Sequence, residues 1–505
     1  MHTLIDPLRR AVQIAPQKVA LVDSSTEISY ASLWHRCSLL VGGLRKLGAG
    51  KGDRIAILAD NSHQYVESYI AVPAGSMVVV PLNTRHAMPE LAYALKDSGS
   101  KILLTDRTDL GELSDLVDHV ISLPDDYESL LATSTEATLG ENPDENAVAG
   151  LFYTGGTTGA SKGVMLSHRN LIANALNWLA TVPQSADDRS LLMAPLFHAA
   201  GSNGILAAVW MGASQIVLSA FDPKAALDLI EQHRINIALG VPTMLAAMAE
   251  EQHARPRSTG TIEILAHGGS PIATEVIRRT SSAFPSAQMI EVYGATELSP
   301  LTTVLMNEQD LVDDPRARSC GRSVVGCSVS VCDSTGNDLP CGEVGEVVIS
   351  GTNVMLGYWN KEAQTAAVLK QGRYWTGDLG YLDASGYLFL VDRSKDMIVS
   401  GGENVYSTEV EEVLYQHPAV LEAAAFGVPD DKWGEAVHAV VVPRDGQKDL
   451  DPSALIDFCR EYIAGYKVPK AIDIRYEPLP KSGPGKVLKR ELRAPFWGDS
   501  DRAVN

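Results

Sequence analysis

The stretch that most limits what this chain can fold into is Tyr153-Thr-Gly-Gly-Thr-Thr-Gly-Ala-Ser-Lys162-Gly-Val-Met-Leu-Ser-His168. Gly155, Gly156, Gly159 and Gly163 interleave there with Thr154, Thr157, Thr158, Ser161 and Lys162. Glycines allow positive φ and close backbone approach to a ligand. Successive N–H groups in such a turn make an anion-binding nest, and Lys162 adds a mobile positive charge. A polyphosphate is the natural guest. The apolar run Val148 to Tyr153 predicts a strand leading in. Val164-Met-Leu leads out, and Ser167 is placed to N-cap the helix carrying Leu171, Ala175 and Leu176. This is not the Walker loop, in which Gly-Lys-Ser/Thr opens directly into a helix. A flexible Gly/Ser/Thr linker fits poorly too, since linkers do not sit between an apolar strand and an amphipathic helix.

A chain of 505 residues is too long for one ordinary domain. Its 42 Lys and Arg against 62 Asp and Glu give a net charge of −20, which argues against nucleic acid as a partner. The amino-terminal residues lack the apolar core of a signal peptide, and no apolar run approaches the ~20 residues of an integral membrane segment. The expected location is cytoplasmic. Cys320, Cys327, Cys332 and Cys341 cluster, but their spacing matches no zinc signature, and buried thiols in short strands are the expectation.

Residues 5–105 alternate helical and strand patterns. Ser32 to Leu47 is helical by its apolar period, Ser62 starts a helix to about Ala74, and Ile55–Leu58, Met77–Pro81 and Ile102–Thr105 read as buried strands. This βαβ grammar implies a parallel α/β sheet. Further strands are expected at Leu191–Met193, Gln215–Leu218, Ile237–Leu239, Glu263–Ala266 and Met289–Val292. From about Arg316 short strands and glycine turns suggest a β-rich subdomain: Val329–Cys332, Gly345–Gly351 and Gly386–Val391. After Asp392-Arg-Ser-Lys-Asp396 an α+β unit begins. Thr408 and Glu411 are placed for a capping box, and Asp451-Pro452 for a helix start. Ala436–Val442 and Ile472–Ile474 are its expected strands.

Other motifs share this order. Ala266-His-Gly-Gly-Ser-Pro271 is a glycine turn after a strand, and Glu291-Val-Tyr-Gly-Ala-Thr-Glu297 follows another at its carboxyl end, where parallel sheets bind ligands. Tyr374-Trp-Thr-Gly-Asp378, Pro195-Leu-Phe-His198-Ala-Ala-Gly-Ser-Asn203 and Pro480-Lys-Ser-Gly-Pro-Gly-Lys486 complete the set. Together they resemble the adenylate-forming superfamily of acyl-CoA synthetases, coumarate–CoA ligases, luciferases and peptide-synthetase adenylation domains. The resemblance runs from about Ser29 to Leu492. Gly155 stands where serine is common in the family and Ser161 where proline is common.

The resemblance implies a large amino-terminal domain of parallel-sheet subdomains plus a β-rich one (1–392), a hinge (393–396) at Lys395, and a small mobile α+β domain (397–505). It implies ATP, Mg2+ and coenzyme A. ATP contacts fall on Thr154, Gly155, Gly156, Thr157, Thr158, Gly159, Lys162, Gly268, Gly269, Ser270, Glu291, Tyr293, Gly294, Ala295 and Thr296, and on Asp378, Arg393 and Lys486. Thr154 and Glu297 hold the metal, and Lys162, His198, Thr296, Glu297 and Lys486 form the catalytic set. The acyl group meets His198, Ala199, Gly201, Ser202, Asn203, Gly269 and Ala295, and the small residues after His198 suggest room for a chain or ring. Ser400, Gly401, Gly402 and Trp433 face CoA, and Val399 stands where some relatives carry lysine.

The implied reaction joins a carboxylic acid to AMP with release of pyrophosphate, then transfers the acyl group to CoA. No acidic residue follows His198, so an amino acid is disfavoured and a fatty or aryl acid fits best. Two alternatives stay open: an acyl-AMP ligase loading a carrier protein, and a nucleotide-binding pseudoenzyme. A homodimer is compatible with the chain.

Overall fold

The computed structural model describes residues 3–141, 144–154, 161–270, 272, 274–393, 395–401, 403–430, 432–444, 450–481 and 487–497. The chain divides into two compact units. One is Met1–Val329 with Ile349–Tyr374, the other Ser330–Val348 with Trp375–Asn505.

The first unit is built on two sheets. In the seven-stranded sheet the order is Gly357–Tyr358, Lys162–Ser167, Val148–Thr154, Val78–Pro81, Arg54–Leu58, Ile102–Thr105, His119–Ser122. Val78–Pro81 and Ile102–Thr105 are buried along their whole length and run parallel to Arg54–Leu58. Strands covered on both faces read as continuous apolar runs, which is why they were visible in the sequence. The flanking helices start where polar caps allow. Ser29 Oγ accepts from the Ser32 N–H (3.1 Å) ahead of Tyr30–Lys46. Ser62 Oγ accepts from the Tyr65 N–H (3.1 Å) ahead of His63–Ala74.

The nine-stranded sheet has the order Arg322–Ser323, Thr303–Leu305, Gln288–Tyr293, Ile264–Gly268, Ile237–Gly240, Arg189–Leu192, Ser214–Val217, Val19–Asp23, Thr26–Ser29. Ile264–Gly268 lies parallel to Gln288–Tyr293 and pairs His267 with Glu291. Side chains alternate across a sheet. Leu265 and Met289 therefore enter a core with Leu191, Ile277 and Phe284, while Ala266 and Ile290 enter another with Trp178 and Val304.

In the second unit the strands Glu403–Val405, Ile398–Ser400, Gly434–Pro443 and Val420–Asp430 form a sheet, with Ala471–Ile474 beside Gly434–Pro443. The helices Ser407–Gln416 and Pro452–Tyr462 pack on it through Val410, Leu414, Leu455 and Cys459. Asp451 caps the latter, accepting from the Ser453 N–H at 2.9 Å.

Two expectations are corrected. No capping box opens Ser407–Gln416. Thr408 Oγ1 instead donates to the Val391 carbonyl, and Glu411 Oε1 accepts from the Ala425 N–H at 2.7 Å. Tertiary partners took both side chains. Among the clustered cysteines, Cys320 and Cys332 are buried and Cys327 is half-buried, but Cys341 is exposed on a turn. No metal-competent group of His, Cys, Asp and Glu occurs among the described residues. Nor is any described helix long and apolar enough to cross a membrane.

Candidate functional site

The strand Val148–Thr154 and the strand Lys162–Ser167 are antiparallel, and their register sets Thr154 opposite Lys162. The glycine loop between them is thus closed at its base by a hydroxyl and an ammonium. Gly155, Gly156, Thr157, Thr158 and Gly159 themselves lie outside the described residues. The hairpin is braced from below. Tyr153 donates its hydroxyl proton to Asp97 Oδ2 at 2.7 Å, and Trp359 Nε1 donates to the Asp97 carbonyl at 3.0 Å. Ser167 caps the next helix as expected, accepting from the Asn170 N–H at 3.1 Å.

Lys162 Nζ stands 4.8 Å from the Tyr358 ring centroid. The Tyr358 hydroxyl donates to Glu297 Oε1 at 2.8 Å. Burial, then the Glu297 charge, pushes the phenol well above its usual range, so Tyr358 remains a donor. One tyrosine therefore links the cation of the loop to the carboxylate of the Thr296–Leu298 turn. Among the described residues Glu297 Oε2 has no partner and Lys162 has no carboxylate. A free carboxylate oxygen is a hard donor of the kind Mg2+ takes. The Glu297 turn is held from behind. Asn353, fully buried, donates from Nδ2 to the Leu298 and Leu301 carbonyls (2.8 and 2.9 Å). Asn170 Nδ2 bonds the Thr352 and Val354 carbonyls on either side (2.7 and 2.8 Å). Sequence reasoning missed Tyr358, Asn353 and Asp97. The Gly357-Tyr358-Trp359 string was the one local signal.

Glu291, Tyr293 and His267 share one face of the nine-stranded sheet. Burial, then the Glu308 carboxylate, drives the Glu291 carboxyl well above its usual range. His267 Nε2 meets Glu308 Oε2 at 2.6 Å in the interior. Gly268 and Gly269 follow His267, and among the described residues no other group lies within 4 Å of a Cβ built on Gly269. Ser270 is half-buried beside it. Gly294, Ala295 and Thr296 continue from the Tyr293 strand end into the Glu297 turn.

His198 precedes the helix Ala199–Met211. Burial, then Arg85 and His86, pulls its imidazole down to about 4, so it is neutral at pH 7. Its Nε2 is buried without a hydrogen-bond partner among the described residues. The small residues after it serve local packing. A Cβ on Gly201 would lie 2.3 Å from the Pro195 carbonyl oxygen, so this glycine lets the helix pack on its own loop. Ala199 is buried, and Ser202 returns its hydroxyl to the His198 and Ala199 carbonyls (3.3 and 3.4 Å). The Asn203 side chain lies outside the described residues. A cavity of about 280 Å³ lined by Ile5, Val78, Val148, Leu151, His168 and Trp359 contains none of the expected ATP, acyl or CoA contacts.

In the second unit Asp378 and Arg393 are cross-strand partners, with Arg393 Nε 3.2 Å from Asp378 Oδ1. Gly401 donates its N–H to the Trp433 carbonyl at 2.8 Å. A Cβ there would lie 2.7 Å from the Trp433 ring, so packing of the indole explains this glycine. Ser400 is buried and Trp433 is 40% exposed. Gly402 and Lys486 lie outside the described residues.

Comparison with known proteins identifies the family. The AMP-binding enzyme family matches residues 8–359, and the AMP-binding enzyme C-terminal domain matches residues 409–486. A feruloyl-CoA synthase of an Amycolatopsis species is 38% identical over 496 residues, covering 97% of this chain and 98% of that protein. The fatty acid–[acyl-carrier-protein] ligase ScoC of Streptomyces coeruleorubidus is 33% identical, covering 100% of this chain and 98% of its own. The structure of the o-succinylbenzoate coenzyme A synthetase of Bacillus subtilis, in complex with ATP and magnesium ion, superposes with a TM-score of 0.87 at 30% identity, over 96% of this chain and 99% of that one. These likenesses support an acyl-CoA synthetase activity and the use of ATP, Mg2+ and CoA in the family. The chain belongs to the AMP-binding, adenylate-forming enzymes and is an AMP-forming acid–thiol ligase.

Proposed function

We propose that the enzyme activates an aryl or fatty acid with ATP and passes the acyl group to coenzyme A. The aryl class is preferred because the 38% relative is a feruloyl-CoA synthase. The observation that carries the reading is the Lys162–Tyr358–Glu297 chain of contacts at the strand ends. A carboxylate and a triphosphate repel, so the first half-reaction needs positioning and charge neutralisation rather than an acid or base. Lys162 supplies charge at the base of the glycine loop, and Lys486 bridges the carboxylate and α-phosphate. Glu297 and Thr154 hold Mg2+, which when bound neutralises phosphate charge. Thr157, Thr158 and the loop N–H groups cradle the phosphates, and Thr296 contacts the α-phosphate. Tyr293 and the Gly268–Ser270 turn flank the adenine, with Glu291 on the same strand. Asp378, oriented by Arg393, accepts from the ribose hydroxyls. His198 offers a neutral imidazole to the acyl wall.

The small domain, 397–505, pivots about Lys395 between half-reactions and brings the Ser400–Gly402 and Trp433 face to the pantetheine arm. Pyrophosphate release measured over a panel of aryl and fatty acids, with and without CoA, tests this. Expected are acid-dependent pyrophosphate and CoA-dependent AMP, and ADP as product would overturn the reading. A carrier-protein thiol is the second reading, favoured by the ScoC relative. Thioester formed on a carrier protein but not on CoA would select it.

A further inference from the structure

The carboxy-terminal segment holds a buried polar network that nothing in the chemistry above uses. Lys489 opens the helix Lys489–Trp497. Its ammonium donates to Glu411 Oε1 at 2.7 Å and to Ser407 Oγ at 2.5 Å. Ser407 in turn gives its N–H to Asp392 Oδ2 (2.6 Å) and its hydroxyl to Asp392 Oδ1 (3.1 Å). Glu411 also takes the Ala425 N–H. Asp392 and Ser407 are buried, and the Lys489 and Glu411 side chains are 14% and 15% exposed. Two carboxyls thus share one ammonium away from water. Burial raises both carboxyls, and Lys489 partly offsets this. Asp396 adds a further negative charge near Lys489.

The members of this network come from both sides of residues 393–396. Asp392 is the penultimate residue of the strand Leu388–Arg393, which pairs with residues 378–382. Ser407 and Glu411 lie in the first turns of a helix that packs on the sheet beyond those residues. One more bond crosses the same point: Thr408 Oγ1 to the Val391 carbonyl. A turn of the chain about Lys395 carries Lys489, Ser407 and Glu411 together, so it breaks this bond and both Ser407–Asp392 bonds and takes the Asp392 charge away from Lys489. A buried lysine that loses one of two neighbouring carboxylates is less well compensated.

We propose that Lys489 is a positioning residue for the pivot. With Asp392, Ser407 and Glu411 it forms a buried latch that holds one orientation of the carboxy-terminal segment and opens once per turnover. This rests on the pivoting ligase reading given above. A latch acts only through the balance between two orientations, so weakening it shifts the two half-reactions relative to each other. Acid-dependent pyrophosphate exchange and thioester formation from supplied acyl-adenylate are measured separately in the intact enzyme. In Lys489→Met and Asp392→Asn the ratio of the two rates should move in the same direction by roughly tenfold, within the span usual for coupled states. Lys489→Arg should restore it. Equal loss in both half-reactions, or no change, would overturn the latch.

If Lys489→Met does not fold, the pair Asp392→Cys with Ser407→Cys, in a Cys341→Ser background, locks the same contact. Oxidised enzyme should perform one half-reaction and lose full turnover until reduced. Full turnover by a cross-linked chain would overturn the proposal. Should the unmodified enzyme exchange no pyrophosphate with any acid, the ligase reading fails by itself. The latch is then judged by amide hydrogen exchange at 397–401 and 403–406, faster in Lys489→Met if it exists and unchanged if it does not.

Discussion

Lys162 and Lys489 show two uses of one side chain. Lys489, its side chain 14% exposed, has Glu411 at 2.7 Å and Ser407 at 2.5 Å, and its charge is spent inside the protein. Lys162 is half-buried and faces the Tyr358 ring with no carboxylate of the described chain beside it. The carboxylates differ in the same sense. Glu411 accepts from both a lysine and a backbone N–H, whereas Glu297 uses one oxygen on the Tyr358 hydroxyl. A buried charge must be paired where it stands. A charge meant for a ligand is left underused and reachable, which marks a functional site more surely than charge alone.

The largest expected effect breaks this comparison on the structural side. Lys489→Met leaves two carboxyls around an empty space and should cost about 3–5 kcal/mol of stability. Denaturant unfolding measures it, and adding Glu411→Gln should recover part of the loss because the burdened carboxyl goes too. A cost below ~1 kcal/mol would put Lys489 in the same class as a surface ion pair. On the ligand side, Lys162→Met should leave unfolding nearly unchanged and cut acid-dependent pyrophosphate exchange by ~10²–10³, as for other preorganised electrostatic groups. A large fall in stability with little fall in exchange would reverse the two assignments.

Tyr358→Phe sharpens the contrast. It keeps the ring beside Lys162 and removes only the donor to Glu297. A hydrogen bond to a charged group contributes about 1.5–3 kcal/mol. Exchange should therefore fall by roughly 10- to 10²-fold, with the Mg2+ requirement altered, because Glu297 is the group freed. An unaltered Mg2+ titration would separate Glu297 from the metal.

What could be read in the sequence followed the same division. The parallel strands and the helices after Ser29, Ser62 and Asp451 were legible because apolar period and capping chemistry are local. Thr154, Lys162, Asp378 and Glu297 were legible because each sits in a short string of unusual residues. Tyr358 was not, since its role depends on a partner sixty-one positions away. Lys489 carried no signal in the sequence. Its burial depends on Ser407 and Glu411, far back in sequence. Thr408 and Glu411 show the reverse error, where a correct local pattern lost to tertiary partners. At Gly201 and Gly401 the missing side chain also serves close packing, on the Pro195 carbonyl and on the Trp433 ring, which only the folded chain shows.

The smallest effect separates two histidines that titrate alike. Burial pulls both His198 and His168 from 6.5 down to about 4. The unfolded chain then holds more protons than the folded one between roughly pH 6.5 and 4. The stability each contributes is fully present above 6.5 and is lost as pH falls through that window, by about 1.4 kcal/mol at pH 5.5. His168→Gln and His198→Gln should each flatten the acid limb of a stability–pH curve by that amount. Their partners differ, however. His168 Nδ1 accepts the Leu4 N–H at 3.2 Å and so pins the amino-terminal segment. His198 Nε2 has no such bond. Stability at pH 8 should therefore drop in His168→Gln and hold in His198→Gln. The KM for the carboxylic acid should move only in His198→Gln. If KM shifts equally in both variants, His198 is a packed histidine like the other, and the acyl wall lies elsewhere.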